Sequence, residues 1–211
     1  MNLRTMRFRT LCLTTLATVC CVLPAVSQES ASPAYNIELV VFRTTSAQGG
    51  AENWGAEAGT GNVIAGEETS GSSRQVGHFV SALPSSSYQL MELENKLRSS
   101  GAYVPVAHVA WSQTASAWGT RAGFPVQRLG LDVPGFSGTV FLERGQYLHL
   151  GMTLTYAMPS PPGGMGAGPG TTFTINESRR IRFYERNYYD HPAFGVIALV
   201  SPAQGARPPG R

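Results

Sequence analysis

Thr139-Val-Phe-Leu-Glu-Arg-Gly-Gln-Tyr-Leu-His-Leu-Gly-Met-Thr-Leu-Thr-Tyr-Ala-Met158 carries the clearest periodicity in the chain. Val140, Leu142, Leu148, Leu150, Met152, Leu154 and Tyr156 share one parity, and Glu143, Tyr147, His149, Thr153 and Thr155 share the other. A two-residue alternation of this kind places one face against a core and the other toward water, which is the pattern of a half-buried strand. Pro159 to Gly170 follows, almost entirely Gly and Pro, and suits a flexible hairpin connection. Beyond it the segment through Phe173 and Ile175 resumes strand character, so the two arms predict an antiparallel pair. Pairing residues whose numbers sum to about 329 sets Tyr156 by Phe173, Leu154 by Ile175 and Leu148 by Ile181 on the apolar face. The polar face then sets His149 by Arg180, Tyr147 by Arg182 and Glu143 by Arg186.

The second arm runs into Arg179-Arg-Ile-Arg-Phe-Tyr-Glu-Arg-Asn-Tyr-Tyr-Asp-His-Pro192. Read as a strand, it turns Ile181 and Phe183 inward and puts Arg180, Arg182, Tyr184, Arg186, Tyr188 and Asp190 on one outer face. Cations alternating with aromatic rings can grip sugars, carboxylates or a protein partner. A solvated sheet face whose arginines meet acids on the next strand reads the same way.

Moving outward, Tyr35 to Phe42 and Tyr103 to Trp111 are short apolar runs rich in β-branched and aromatic residues, and Phe194 to Val200 is a last apolar strand. Ser85-Ser86-Ser87 can cap a helix reaching about Ser100, with Leu90, Leu93 and Leu97 on one side and Gly101 as its stop. Thr44 to Ala82 and Ser112 to Ser137 read as loops. The order predicts an α+β domain: a mostly antiparallel sheet of about five strands covered by one main helix.

Residues 1–27 have the form of an export signal, with Arg4, Arg7 and Arg9 before an apolar core from Leu11 to Val22 and a small-x-small site at Ala25-Val26-Ser27. The core is shorter than the roughly 20 residues a spanning helix needs, so cleavage before Gln28 would leave no membrane span. Residues 28–201 then form a single domain, and 202–211 a disordered tail. Cys12, Cys20 and Cys21 all lie in the leader, so the exported form has no disulfide, thiolate metal site or cysteine nucleophile. Three of the sixteen Lys and Arg also belong to the leader, and the remainder equal the thirteen Asp and Glu. Nucleic-acid binding by general electrostatics therefore loses its support.

No HxxxH or HxH spacing joins His149, Asp190 and His191 into a metal or acid–base site, and no GxSxG nucleophile elbow occurs. The glycines of 163–168 lack the helix a phosphate-cradling loop requires. No cofactor, metal or catalytic residue is assigned. Trp111 reads as core, whereas Trp54 and Trp118 sit in polar loops where a large ring needs cover or a ligand.

Four blocks resemble the CsiV family: Tyr35 to Phe42 with Glu52-Asn53-Trp54, Tyr103 to Trp111, Gly138 to Val140 with Arg144 to Leu150, and Arg179 to Arg182 with Glu185 and Tyr189 to Val196. The chain departs from the family at Ser112 and Thr114, where Arg and Pro are expected, and at Gln146, where Arg is usual. The resemblance implies a non-enzymatic periplasmic protein of Gram-negative bacteria that binds peptidoglycan and supports cell-wall synthesis and cell-shape integrity. Joined to the face assignment, it makes Arg180, Arg182, Arg186, Tyr188, Tyr147, His149 and Trp54 the candidate ligand contacts. The competing reading is an envelope adaptor for a penicillin-binding synthase or its lipoprotein activator, without direct wall binding.

Overall fold

A computed structural model describes residues 32–46 and 78–203. In chain order the strands are β1 (Ala34–Thr44), β2 (Phe79–Ala82), β3 (Tyr103–Thr114), β4 (Ser116–Ala117), β5 (Phe124–Pro125), β6 (Phe136–Arg144), β7 (Leu148–Ala157), β8 (Thr172–Arg180), β9 (Arg186–Asp190) and β10 (Phe194–Pro202). One main helix, α1 (Met91–Ser99), lies between β2 and β3. The class is the α+β one predicted, mostly antiparallel with one main helix, and the strands divide between two sheets of five. The first sheet has the order β2-β3-β1-β10-β9; in the second, β4-β6-β7-β8, β5 also pairs with β6. Every pairing between these strands is antiparallel except the short β4–β6 contact.

The two sheets face each other across a shared core. Ile37, Leu39 and Val41 of β1, Trp111 of β3 and Val196, Ala198 and Val200 of β10 meet Val140, Leu142, Leu150, Met152, Leu154, Phe173 and Ile175 of the second sheet. Each large aliphatic chain fully removed from water contributes about 1.5–3 kcal/mol. Two polar groups inside this core are satisfied. The Trp111 indole N–H donates to Gln113 Oε1 at 2.7 Å, and Tyr189 Oη donates to the Leu150 carbonyl of the opposite sheet at 2.8 Å.

The predicted hairpin register is the observed one: His149 pairs with Arg180, Leu154 with Ile175 and Tyr156 with Phe173. The pattern from Thr139 to Met158 is interrupted at Gly145–Tyr147, where β6 turns back into β7 and pairs Glu143 with His149. That turn has three residues, so β6 and β7 keep the same inward parity. The connection across Pro159–Gly170 is tied down by Met165, which is 1 % exposed in the core, and by a bridge from Gly163 to Ser46.

The Arg179–Pro192 run is two strands and not one. β8 ends at Arg180, residues 182–185 form a turn in which Tyr184 has φ 62°, and β9 joins the first sheet beside β10. Even positions point outward on both strands, but outward from opposite sides of the sandwich. Arg186 accordingly pairs with Leu199, and Glu143 does not meet it.

The helix packs on the outer face of the first sheet, where Leu90, Leu93 and Leu97 meet Val40, Ile197 and Leu199. It starts later than the serines suggest. Ser85–Ser87 form a single 3₁₀ turn, and no side chain of the helix's own N-terminus caps it. Its capping comes from the sheet: the Glu38 carboxylate on β1 accepts the backbone N–H of Gln89 at 2.8 Å and of Leu90 at 2.8 Å. These donors have no partner within the helix, and a negative charge there also suits its dipole. Gly101, with φ 71°, ends the helix as predicted.

Candidate functional site

The outer face of the second sheet gathers an aromatic and cationic cluster at the β6–β7 turn. It begins with β4, whose pairing to Glu143 and Arg144 brings the following loop over the end of β6. Thr120 folds back on the Ala117 carbonyl, its backbone N–H at 3.3 Å and its hydroxyl at 2.7 Å. Glu143, 2 % exposed, accepts hydrogen bonds from the backbone N–H groups of Gly119 and Arg121. A carboxylate so surrounded by donors holds the loop in one shape.

The loop delivers Trp118 onto His149, with ring centroids 4.2 Å apart at 50°. Gly145 makes the room for this: a Cβ there would lie 3.1 Å from the Trp118 Cβ. Across the ladder from His149 stands Arg180, whose guanidinium carbon is 3.4 Å from the Tyr147 ring centroid. Trp118 remains 59 % exposed and Tyr147 42 %. His149 Nδ1 is buried beneath this cluster without a hydrogen-bond partner among the described residues.

Along the same face, Thr153 Oγ1 donates to Asn176 Oδ1 at 3.1 Å, and the hydroxyls of Ser137 and Thr155 lie 2.6 Å apart. The face therefore offers rings with apolar bodies and polar edges, one guanidinium for a carboxylate, and a lane of hydroxyl and amide groups. That set suits an extended ligand bearing hydroxyls and carboxylates.

Of the seven predicted contacts, the structure brings Tyr147, His149 and Arg180 together. Arg182 is exposed in the 182–185 turn. Arg186 and Tyr188 lie on β9, on the opposite outer face, and Trp54 lies outside the described residues. His149 is likewise separated from Asp190 and His191, and among the described residues no group of three His, Cys, Asp or Glu side chains could hold a metal ion. Trp118 joins the cluster although it was not among the seven; its position in a polar loop was the available signal.

Sheet-borne rings and a guanidinium thus lie together on an open face of an α+β domain. The chain belongs to the CsiV family, since the family model described as "Peptidoglycan-binding protein, CsiV" matches residues 11–203. No curated protein and no solved structure matches the chain. No helix among the described residues is long and apolar enough to cross a membrane.

Proposed function

We propose that this protein is an exported, non-enzymatic component of the periplasm that binds peptidoglycan through the Trp118–His149–Tyr147–Arg180 surface and so supports cell-wall synthesis and cell shape. The family supplies the ligand class. The observation that carries the assignment to this surface is the convergence of two exposed rings and a stacked guanidinium at one sheet end. The rings lie against sugar faces, and Arg180 pairs with carboxylates of the stem peptides.

The test is co-sedimentation of the chain from Gln28 with protein-free sacculi across a salt series. Arg180→Ala and Trp118→Ala each weaken binding at least tenfold, about 1.4 kcal/mol, and the wild-type interaction weakens as salt rises. Folded variants that sediment like the wild type would remove this surface as the site. The adaptor reading draws on one observation, that among the described residues β8, nine residues long, is the terminal strand of its sheet, an edge to which an extended partner could add. An adaptor would ignore sacculi stripped of protein and bind only when a synthase or its lipoprotein activator is added.

A further inference from the structure

On the opposite side of the sandwich, the outer face of the first sheet holds a cleft of about 290 Å³. Thr44, Tyr103, Tyr188, Asp190, His191 and Pro192 are among the residues that line it. We propose that this cleft binds a primary alkylammonium group, with the Asp190 carboxylate as counter-charge and the Tyr103 and Tyr188 rings as its walls. The inference leans on the wall-binding reading only in naming a stem-peptide amine as the natural source of that group.

The walls are built and not incidental. Tyr188 stacks on Phe42 at 6.0 Å and 8°, while Tyr103 meets the same ring edge-on at 5.2 Å and 84°. Gly195 permits this packing, because a Cβ there would stand 2.7 Å from Phe42 Cζ and 3.0 Å from Tyr188 Cε2. The floor turn is also pinned: Thr44 Oγ1 donates to the Pro192 carbonyl at 2.7 Å, and His191 and Phe194 exchange backbone hydrogen bonds of 3.0 and 3.1 Å.

The charge of the cleft favours a cation. Asp190 is exposed, one of its oxygens accepts from Tyr188 Oη at 2.7 Å, and no Lys or Arg among the described residues pairs with it. His191 does not supply a competing positive charge. Its Nδ1 accepts the Ala193 N–H at 3.1 Å, and burial, opposed by the Asp190 charge, lowers its pKa. Burial, together with the hydrogen bond to Asp190, pushes the Tyr188 phenol far above its usual value, so Tyr188 stays a neutral donor. An ammonium ion approaching Asp190 lies beside the two tyrosine rings that line the cleft; an anion meets a carboxylate that pairs with no Lys or Arg among the described residues.

The test is an NMR titration of the chain from Gln28, following the His191 ring resonances. The probes are Nα-acetyl-lysine amide and the same compound acetylated on its ε-amine. The charged probe produces a saturable shift; the neutral one binds at least tenfold more weakly, and Asp190→Asn removes the difference between them. Equal responses to the two probes, no saturable shift, or an undiminished preference in folded Asp190→Asn would overturn the proposal. Should that variant not fold, the two-probe comparison on the wild type still decides. Sacculus co-sedimentation is read separately, so loss of wall binding with an intact amine response refutes the proposed function alone, and the converse refutes this inference alone.

Discussion

Replacing Glu38 by Gln tests how the helix is held to the sheet. Glu38 is 6 % exposed, and its Oε1 receives both the Leu90 N–H at 2.8 Å and His108 Nε2 at 2.7 Å, while Oε2 receives the Gln89 N–H at 2.8 Å. An amide has one acceptor oxygen and one NH₂ group. With the oxygen in the Oε1 position, the NH₂ faces the Gln89 donor; with the amide flipped, it faces Leu90 and His108. Either orientation sets a donor against a donor in a buried place. The lost charge-assisted bond is worth about 1.5–3 kcal/mol and the stranded donor costs about 1–3 kcal/mol. A loss of about 3–5 kcal/mol follows, the range seen when one partner of a buried pair is removed. With a urea dependence of about 2 kcal/mol/M for a domain of this size, the midpoint falls by about 2 M. Urea unfolding followed by far-UV circular dichroism measures it, and a loss below about 1 kcal/mol would refute the claim that Glu38 anchors the helix.

The same clamp predicts a pH dependence. Burial disfavours the His108 imidazolium, but hydrogen bonds to Glu38 and Glu94 outweigh it and hold its pKa above 6.5. Burial likewise opposes the Glu94 carboxylate, and hydrogen bonds to His108 and Arg98 overcome that and hold it below 4.5. The His108 contribution is therefore complete below about pH 6.5 and is lost as pH rises through the raised folded value; the Glu94 contribution is complete above about pH 4.5 and is lost as pH falls through the lowered one. Wild type should exceed His108→Gln in urea midpoint most clearly between these limits, and a constant difference from pH 5.5 to 9 contradicts the account. Tyr189→Phe strips the Leu150 carbonyl of its inter-sheet donor and should cost about 1–2 kcal/mol, read from thermal unfolding. Gly151→Ala drives a methyl to within 2.1 Å of Phe141 Cζ, an overpacking worth about 1–3 kcal/mol; an unchanged melting temperature would show that the ring moves freely.

The hairpin of β7 and β8 was legible because its information is local. Two alternating runs about one Gly/Pro connection leave few registers that bury both apolar faces, and the register summing to 329 is the one observed. Alternation reports which way a side chain points from its own strand, and nothing about which sheet that strand joins. The division into two sheets rests on the 182–185 turn, where Tyr184 takes φ 62° in a run of residues with no Gly or Pro to mark it. The helix start was hidden for a related reason. Three serines carry the usual capping signal, but the groups that accept the Gln89 and Leu90 donors sit on Glu38, some 51 residues earlier in the chain. A carboxylate buried on a central strand is a poor choice for stability by itself; with two backbone donors and His108 around it, it becomes the better cap.

The candidate site divides along the same line. His149 and Arg180 meet because they are ladder partners, and Tyr147 joins them from the adjoining turn, so parity alone could find all three. Arg186 and Tyr188 shared that parity and yet face the other way, because the exposed 182–185 turn carries the chain from the second sheet to the first between Arg180 and them. Trp118 shows the reverse case. Its sequence context says only that a large ring in a polar loop needs cover, and the cover it finds is His149, at a place dictated by the grip of Glu143 on residues 119–121. Such a placement leaves the ring half in water, 59 % exposed. An exposed ring on a held loop is available to a ligand as a buried one is not, so under the proposed function Trp118→Ala and Arg180→Ala should weaken sacculus binding alike.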